Sequence, residues 1–518
     1  MTSVRSLRSI LFLLNLLVFA AWPASAQITS QTGAVRIIVV DSQGASVSDA
    51  KVTLSSPLGT TATKESLPDG TVVFPLLDPG EYKVTVERVG FRRAVINSVA
   101  VKITEVTSLT VSLEVGEVST EIIVSGEAVQ TVNTTNATLG ETLTGNVVEN
   151  LPLSTRNFLF LLATNAGTSA SLPDATQAGL GLAVIFVAGQ RGTNNNLVIN
   201  GIDANNLGNN NFGNVPIPAP DSLEEFRVQT SLYDASQGKT SGGNINVLTK
   251  SGTSSYHGEL YEFLRNDVLN ANDFFRNKGA QSRPVLKQNQ FGGNLGGPVP
   301  KIKEAFWFVS YEGTRQRNGV AGSISSSMPM LGDRSQATLE SAFCIPAGTL
   351  DPVALKLLNL PGQYGGFLVP SGPGTPQPRT PAQCASAQSN PNFALFNVSQ
   401  SLQFQGDQFN ANVDKNIGLH HKIIEKFFFA NASTVDPLGG QGAGNFGSGQ
   451  TTPVQNRLAS LSWVYTITPN LVNEARVGFN RITQQVLAKD PATVSQLGMT
   501  RFNSMRQSKT MVDNESRG

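Results

Sequence analysis

Hydrophobic and polar positions alternate along much of this chain with a period of two, the signature of strands with one covered face. From Tyr82 to Glu87, residues Tyr82, Val84 and Val86 fall on one side and Lys83, Thr85 and Glu87 on the other. Leu109, Val111 and Leu113 alternate with Thr110 and Ser112. Val35 to Val40, Lys51 to Ser55 and Thr71 to Phe74 are further β-branched runs. Asp41-Ser42-Gln43-Gly44 and Leu77-Asp78-Pro79-Gly80 are turns in which Pro presets φ and Gly supplies freedom. Short strands at this spacing predict a small β-sandwich over residues 31–115.

A second alternating region lies near the C-terminus. In Arg457 to Ile467, residues Ala459, Leu461, Trp463, Tyr465 and Ile467 share one face, opposite Ser460, Ser462 and Thr466. Leu471, Ala475, Val477 and Phe479 alternate with Glu474, Arg476 and Asn480. Phe306 to Tyr311, Gln403 to Val413 and Ile424 to Ala430 are further strand candidates. The block from Pro220 to Asn270 joins the two regions. Its run Asn244 to Thr249 ends in Lys250-Ser251-Gly252-Thr253, and Tyr256 to Leu264 follows. That order predicts one domain handing directly into the first strand of a large sheet. Met328 to Ser399 is rich in Pro, Gly and Ser with few strand signals, and reads as a long loop. Phe291-Gly292-Gly293-Asn294-Leu295-Gly296-Gly297-Pro298 is not a phosphate loop, because Pro298 and Pro300 forbid the helix such a loop must open. Its glycines are read as a tight strand turn.

The first 26 residues read as a secretory signal. Arg5 and Arg8 precede the apolar run Ile10 to Ala21, and Ala24-Ser25-Ala26 supplies a cleavage pattern. That run is short for a bilayer core of about 30 Å. The charged fraction is 14%, well under the roughly 25% of an ordinary soluble domain. Membrane β-barrels carry their lipid face in a period-2 alternation that a hydropathy window misses. A net charge of +1 and no basic run give no case for nucleic acid. Cys344 and Cys384 are the two cysteines of the chain, and an oxidising envelope allows them to pair. The histidines, His257, His420 and His421, lack a zincin spacing. No nucleophile elbow or Walker loop is present, so neither enzyme, metal nor cofactor is expected.

Specific stretches carry a family resemblance. Pro79 to Val86, with Gly90-Phe91 after it, resembles the carboxypeptidase regulatory-like domain, whose fold is a carbohydrate-binding-like, Ig-like sandwich. Tyr82 and Phe91 are read as core or turn packing rather than a sugar platform. Val148-Glu149-Asn150-Leu151-Pro152-Leu153-Ser154-Thr155-Arg156-Asn157-Phe158, Val187 to Thr193 and Leu197 to Asp203 resemble the plug of TonB-dependent outer-membrane receptors. Asn200 stands where that family usually carries Asp, and Asn serves a turn equally well. Thr253 to Asn272, Asn289 to Val299 and Glu304 to Gly313 resemble the opening barrel strands of the Oar-like branch.

The resemblance implies a mainly β chain in four parts. They are a signal peptide (1–26), a regulatory-like β-sandwich (27–116), an α+β plug (117–250), and an incomplete transmembrane antiparallel β-barrel (251–518) with a long extracellular loop at about 328–399. It implies a Gram-negative outer-membrane location with the sandwich in the periplasm. It also implies TonB and its energising complex as partner, outer-membrane lipid around the barrel, and an unidentified substrate, a glycan or a peptide. Thr120, Glu121, Ile122, Ile123, Val124 and Ser125 stand where the TonB box stands; equally, Ile122 to Val124 start the plug's own sheet. Asn194, Asn195, Asn196, Asn205 and Asn206 lie on plug loops that meet substrate in that family. A family barrel of about 22 strands needs roughly 220 residues of strand alone. The chain offers about seven strand candidates and no terminal aromatic strand, so it reads as a fragment or a broken gene. The alternatives are a surface or adhesion protein of the same architecture, and a truncated product without function.

Overall fold

The computed structural model describes residues 31–488, apart from 57–60, 117–120, 125–137, 152, 154, 171–178, 180–183, 209, 211–214, 234–239, 320–322, 362–366, 368, 387–389, 400, 419, 438–448 and 469–470. The expected signal segment and Thr120 and Ser125 lie outside the described residues.

The N-terminal unit is a sandwich. Its strands are β1 (Gly33–Asp41), β2 (Lys51–Ser55), β3 (Thr61–Glu65), β4 (Thr71–Leu77), β5 (Gly80–Glu87), β6 (Arg93–Val101), β7 (Val106–Leu113) and β8 (Glu121–Val124). One sheet has the order β4-β1-β7 and the other β3-β2-β5-β6-β8. Val35, Ile37, Val39, Val84, Val86, Leu109 and Val111 fill the space between them, so the period-2 pattern does set the buried face. Tyr82 is buried in this core with its hydroxyl donating to Asp78 O at 3.0 Å, and Phe91 packs against it. Two strands were missed in the sequence. β3, Thr-Ala-Thr-Lys-Glu, is almost wholly exposed, and β6 buries consecutive residues Ala94, Val95 and Ile96 rather than alternating.

The middle unit contains β9 (Leu139–Thr144), β10 (Thr168–Ala170), β11 (Ile185–Val187), β12 (Asn196–Ile199), β13 (Ile202–Asp203), β14 (Leu223–Ser231) and β15 (Asn244–Thr249). Its five-stranded sheet runs β13-β12-β15-β14-β9. A short helix (Gly145–Asn150) and a 3₁₀ helix (Phe158–Thr164) cover it. Asn200 and Gly201, at φ 50° and 74°, make the tight β12–β13 turn, which needs two positive φ values in succession.

The third unit is one antiparallel sheet of β16 (His257–Asn266), β17 (Leu286–Pro298), β18 (Ala305–Asn318), β21 (Leu402–Ile417), β22 (His421–Asp436), β23 (Gln450–Thr468) and β24 (Leu471–Gln484), with β25 (Leu487–Ala488) pairing β23. The sheet is not closed among the described residues. Its polarity is inverted. On β23 the buried face carries Asn456, Ser460 and Ser462, while Leu461 and Trp463 are 46% and 43% exposed. On β21 the covered residues are Gln408, Asn410, Asn412 and Asp414, opposite the exposed Phe409 and Val413. Water on the outside would make this arrangement costly; hydrocarbon outside and a polar lumen make it favourable. The β17–β18, β21–β22 and β23–β24 connections are short, whereas β16–β17, β18–β21 and β22–β23 are long. This asymmetry is that of outer-membrane barrels, with short periplasmic turns and long outer loops.

Two expectations are corrected here. The glycines of 291–298 lie inside strand β17, not at a turn. A Cβ at Gly292 would sit 2.3 Å from Tyr311 O, and one at Gly297 would sit 2.4 Å from the Tyr256 ring. These glycines make room for neighbouring aromatics and backbone. Residues 328–399 are not a plain loop. β19 (Ser323–Pro329) pairs β20 (Phe393–Ser399) as a hairpin that carries helices Gln336–Phe343, Pro352–Leu358 and Pro381–Ala385. A disulfide joins Cys344 to Cys384. Local capping by Asp351 and by the Thr380/Gln383 capping box starts two of these helices, a signal that Pro, Gly and Ser content hides.

Candidate functional site

The middle unit sits on the polar inner face of the large sheet, and the contact is built strand by strand. Its core runs on into the sheet, with Phe428, Ala430 and Leu458 joining Phe158, Leu162, Phe226 and Val247 in one apolar cluster. Around that cluster the contact is polar. Asn412 Nδ2 donates to Thr249 Oγ1 at 2.9 Å and to Lys250 O at 2.6 Å. Lys426 Nζ donates to Thr249 O at 2.6 Å and to Ser251 Oγ at 3.2 Å. Asn456 Nδ2 reaches Pro216 O at 3.0 Å, and Asn480 Nδ2 reaches Asp203 O at 2.7 Å. Lys250 itself is held within the middle unit by a 2.5 Å ion pair to Glu149 of the helix Gly145–Asn150. Here the chain leaves β15 and enters β16, so Asn244 to Leu264 forms the handover that the sequence predicts.

Arg156 is the most heavily engaged side chain of this contact. It lies in the loop after Leu151 at φ 54° and is 7% exposed. Its guanidinium pairs with Asp221 and, at 3.4 Å, with Glu312 of β18. It also lies 4.9 Å from the Tyr261 ring centroid and 4.1 Å from that of Phe263, both on β16. The Tyr261 hydroxyl donates to Glu312 Oε2 at 3.1 Å, and Gln408 of β21 donates to Glu312 Oε1 at 3.0 Å. One residue of the middle unit is thereby tied to three strands of the sheet. Burial alone lowers the guanidinium pKa, but Asp221 and Glu312 outweigh it and hold it above the usual arginine value. The sequence marked Arg156 as part of a motif; its partners, far away along the chain, carry no local signal.

The five asparagines of the expected substrate loops all hydrogen-bond within the middle unit. Asn195, Asn196, Asn205 and Asn206 are buried. Asn195 accepts from Gly243 N at 2.9 Å and donates to Ile185 O at 2.7 Å. Asn205 accepts from Leu197 N at 3.1 Å and donates to Asn196 Oδ1 at 2.7 Å. Asn206 accepts from Gly208 N at 2.9 Å. Asn194, half-buried, donates to Gln190 Oε1 at 3.1 Å. These amides close the unit's own turns, where loop backbone needs partners.

Glu121 to Val124 form β8, which adds in parallel to the sandwich strand β6, with Arg93 opposite Glu121 and Ile96 opposite Val124. The segment therefore does not start the sheet of the middle unit. β6 would otherwise be the edge of its sheet, and a β-branched run completes such an edge readily.

His421 stacks on Tyr465 at 4.4 Å beside Trp463, at the short-turn end of β22 and β23. That is where aromatic girdles sit in membrane barrels.

Residues 248–514 match the family model of the outer membrane beta barrel domain, and residues 34–114 match that of the carboxypeptidase regulatory-like domain. The TonB-dependent transporter Oar of Myxococcus xanthus is 23% identical over 317 residues, which is 56% of this chain. The chain spans 28% of the length of that relative. Among solved structures, a ferric enterobactin receptor mutant from Pseudomonas aeruginosa aligns at 11% identity and TM-score 0.35, over 67% of this chain and 46% of its own. The outer membrane transporter YddB from Escherichia coli aligns at 12% identity and TM-score 0.33, over 67% and 48%.

Proposed function

This chain belongs to the outer membrane β-barrel family, with a carboxypeptidase regulatory-like domain ahead of its barrel strands, and from that we propose that it works as a TonB-dependent receptor for uptake across the Gram-negative outer membrane. In this reading residues 251–518 contribute barrel wall, 117–250 are the plug, and 27–116 form a periplasmic sandwich. Thr120 to Ser125, of which Glu121 to Val124 form β8, are the segment that TonB pairs with and pulls. The substrate is a glycan or a peptide bound between the outer loops and the plug, and the protein moves it rather than transforming it.

The observation that carries this reading is the inverted sheet with a folded unit seated on its polar face. A wide lumen must be closed against leakage, yet open on demand. A seat made largely of hydrogen bonds suits that task. Each bond adds about 0.5–1.5 kcal/mol net, and water replaces its partner when the seat opens. A wholly apolar seat would resist release far more strongly, at roughly 25 cal/mol per Å² exposed.

The test is a cysteine scan. Single cysteines at 120 to 125 in the full-length protein are paired in cells with cysteines in the periplasmic arm of TonB. Disulfide cross-links should form at alternating positions, the periodicity of strand addition. No cross-link at any of the six positions would remove TonB from the account and favour an adhesion role for the same architecture.

A further inference from the structure

The sandwich does not merely precede the middle unit; it grips it. β14 is buried on both faces. Phe226 and Val228 enter the apolar cluster, while Glu225, Arg227 and Gln229, at alternate positions, are buried on the other face. Three buried polar side chains on one strand require partners, and the sandwich loop 102–105 supplies them. Ile103 N donates to Glu225 Oε2 at 2.8 Å, and Arg227 Nη1 donates to Ile103 O at 3.2 Å. Arg227 also pairs with Glu105 at 3.0 Å, and Gln229 Nε2 donates to Thr104 Oγ1 at 3.4 Å. Both backbone groups of Ile103 are thus used by alternate residues of one strand.

The loop is braced from behind. Thr104 N donates to Thr32 O at 2.9 Å, and Ala34 N donates to Glu105 O at 2.9 Å. It is also the direct continuation of β6, and β6 is the strand on which β8 lies. The order β3-β2-β5-β6-β8 leaves β8 at the end of its sheet. A contiguous path therefore runs from β8 through β6 and loop 102–105 to β14, an interior strand of the middle sheet held between β15 and β9. The covalent path, through residues 125–137, instead reaches β9 at the edge of that sheet.

We propose that the sandwich is a coupler: a pull on β8 reaches the plug at β14 through the 102–105 grip, and the grip residues decide whether the plug yields. This rests on the reading of 120–125 as the TonB strand and of 117–250 as the plug. It adds that the sandwich transmits the pull, with Glu105, Glu225, Arg227 and Gln229 as positioning residues. In mechanical terms, load at β14 acts on both of its neighbours, β15 and β9, whereas load at the edge strand β9 peels that strand alone.

The test uses the full-length protein in energised cells, with Ala204→Cys as reporter. Ala204 is fully buried in the middle unit, and the two native cysteines are held in the disulfide, so thiol labelling reads plug movement. Glu105→Arg sets two cations face to face and breaks the grip. Glu105→Arg with Arg227→Glu restores an ion pair and controls for misfolding. Amide exchange at Ile103 in the purified protein reports the grip itself, and TonB cross-linking at 120–125 reports engagement. With cross-linking intact, Glu105→Arg should speed Ile103 exchange and cut energy-dependent labelling by about tenfold or more, as expected when a like charge replaces the half-buried partner of the buried Arg227. The double variant should recover both. Faster exchange with unchanged labelling would overturn the coupler, and unchanged exchange would overturn the grip. Absent cross-linking in the parent would instead sink the TonB reading, and the grip would then be judged on Ile103 exchange alone.

Discussion

At the scale of single residues, two buried charges carry the clearest consequences. Arg156 holds two carboxylates, from Asp221 and Glu312, that have been taken out of water. Arg156→Ala leaves both uncompensated and should lower stability by roughly 3–5 kcal/mol. Arg156→Lys should recover only part of this, because an ammonium lacks the planar fork that reaches both partners and lies over two rings. Denaturant unfolding of the purified protein measures the two variants. Glu225 is raised to about 7, first by burial, then by Glu224 and Glu105, against the opposing Ile103 N–H and Lys102. Arg227 lies on the same face two residues away. A raised value means that the docked state holds its proton more tightly than the free one. The docking advantage is therefore fully present below the ordinary carboxyl value of about 4.3 and is lost as pH rises through about 7. Energy transfer between labels on the sandwich and the middle unit should fall from pH 5.5 to pH 8, and Glu225→Gln should flatten that profile. Asn200 was legible as a turn residue from its neighbours. The role of Glu225 was not, because its partner is a backbone amide in another domain.

At the scale of elements, strands were legible wherever one face is covered and the other is not. β1, β5, β7, β23 and β24 follow that rule, and the sequence placed them. β3 escaped because almost nothing covers it, and β6 because tertiary packing buries adjacent residues. The β17 glycines misled because a glycine run signals a turn by composition, while here it signals close neighbours. Gly292→Val should therefore block assembly of the sheet, whereas the same change at Gly44, which meets nothing within 4 Å, should be far milder for packing though still strained at φ 85°. Yield of heat-modifiable folded protein in outer membranes separates the two. In the 328–399 element, the 40-residue separation of the cysteines makes the disulfide worth roughly 4 kcal/mol in chain entropy. Cys344→Ser with Cys384→Ser should open this element to protease while the sheet below stays protected; equal protection of the two forms would show that its helices hold without the bridge.

At the scale of the whole molecule, the sequence disclosed the class of the chain and a regulatory-like sandwich ahead of barrel strands, but not how the units hold one another. Period-2 alternation reveals that a strand has two unlike faces and is silent on which face meets lipid. The structure assigns the faces, because a folded unit covers the polar one. Everything argued about the seat and the coupler depends on that assignment. Spin labels on β23 of the full-length protein in lipid bilayers test it most directly. Labels at Leu461 and Trp463 should collide with oxygen and be shielded from a water-soluble nickel chelate, as for lipid-facing sites, whereas labels at Ser460 and Ser462 should be immobilised and reached by neither. Strong nickel collisions at Leu461 and Trp463 would place that face in water and contradict the account.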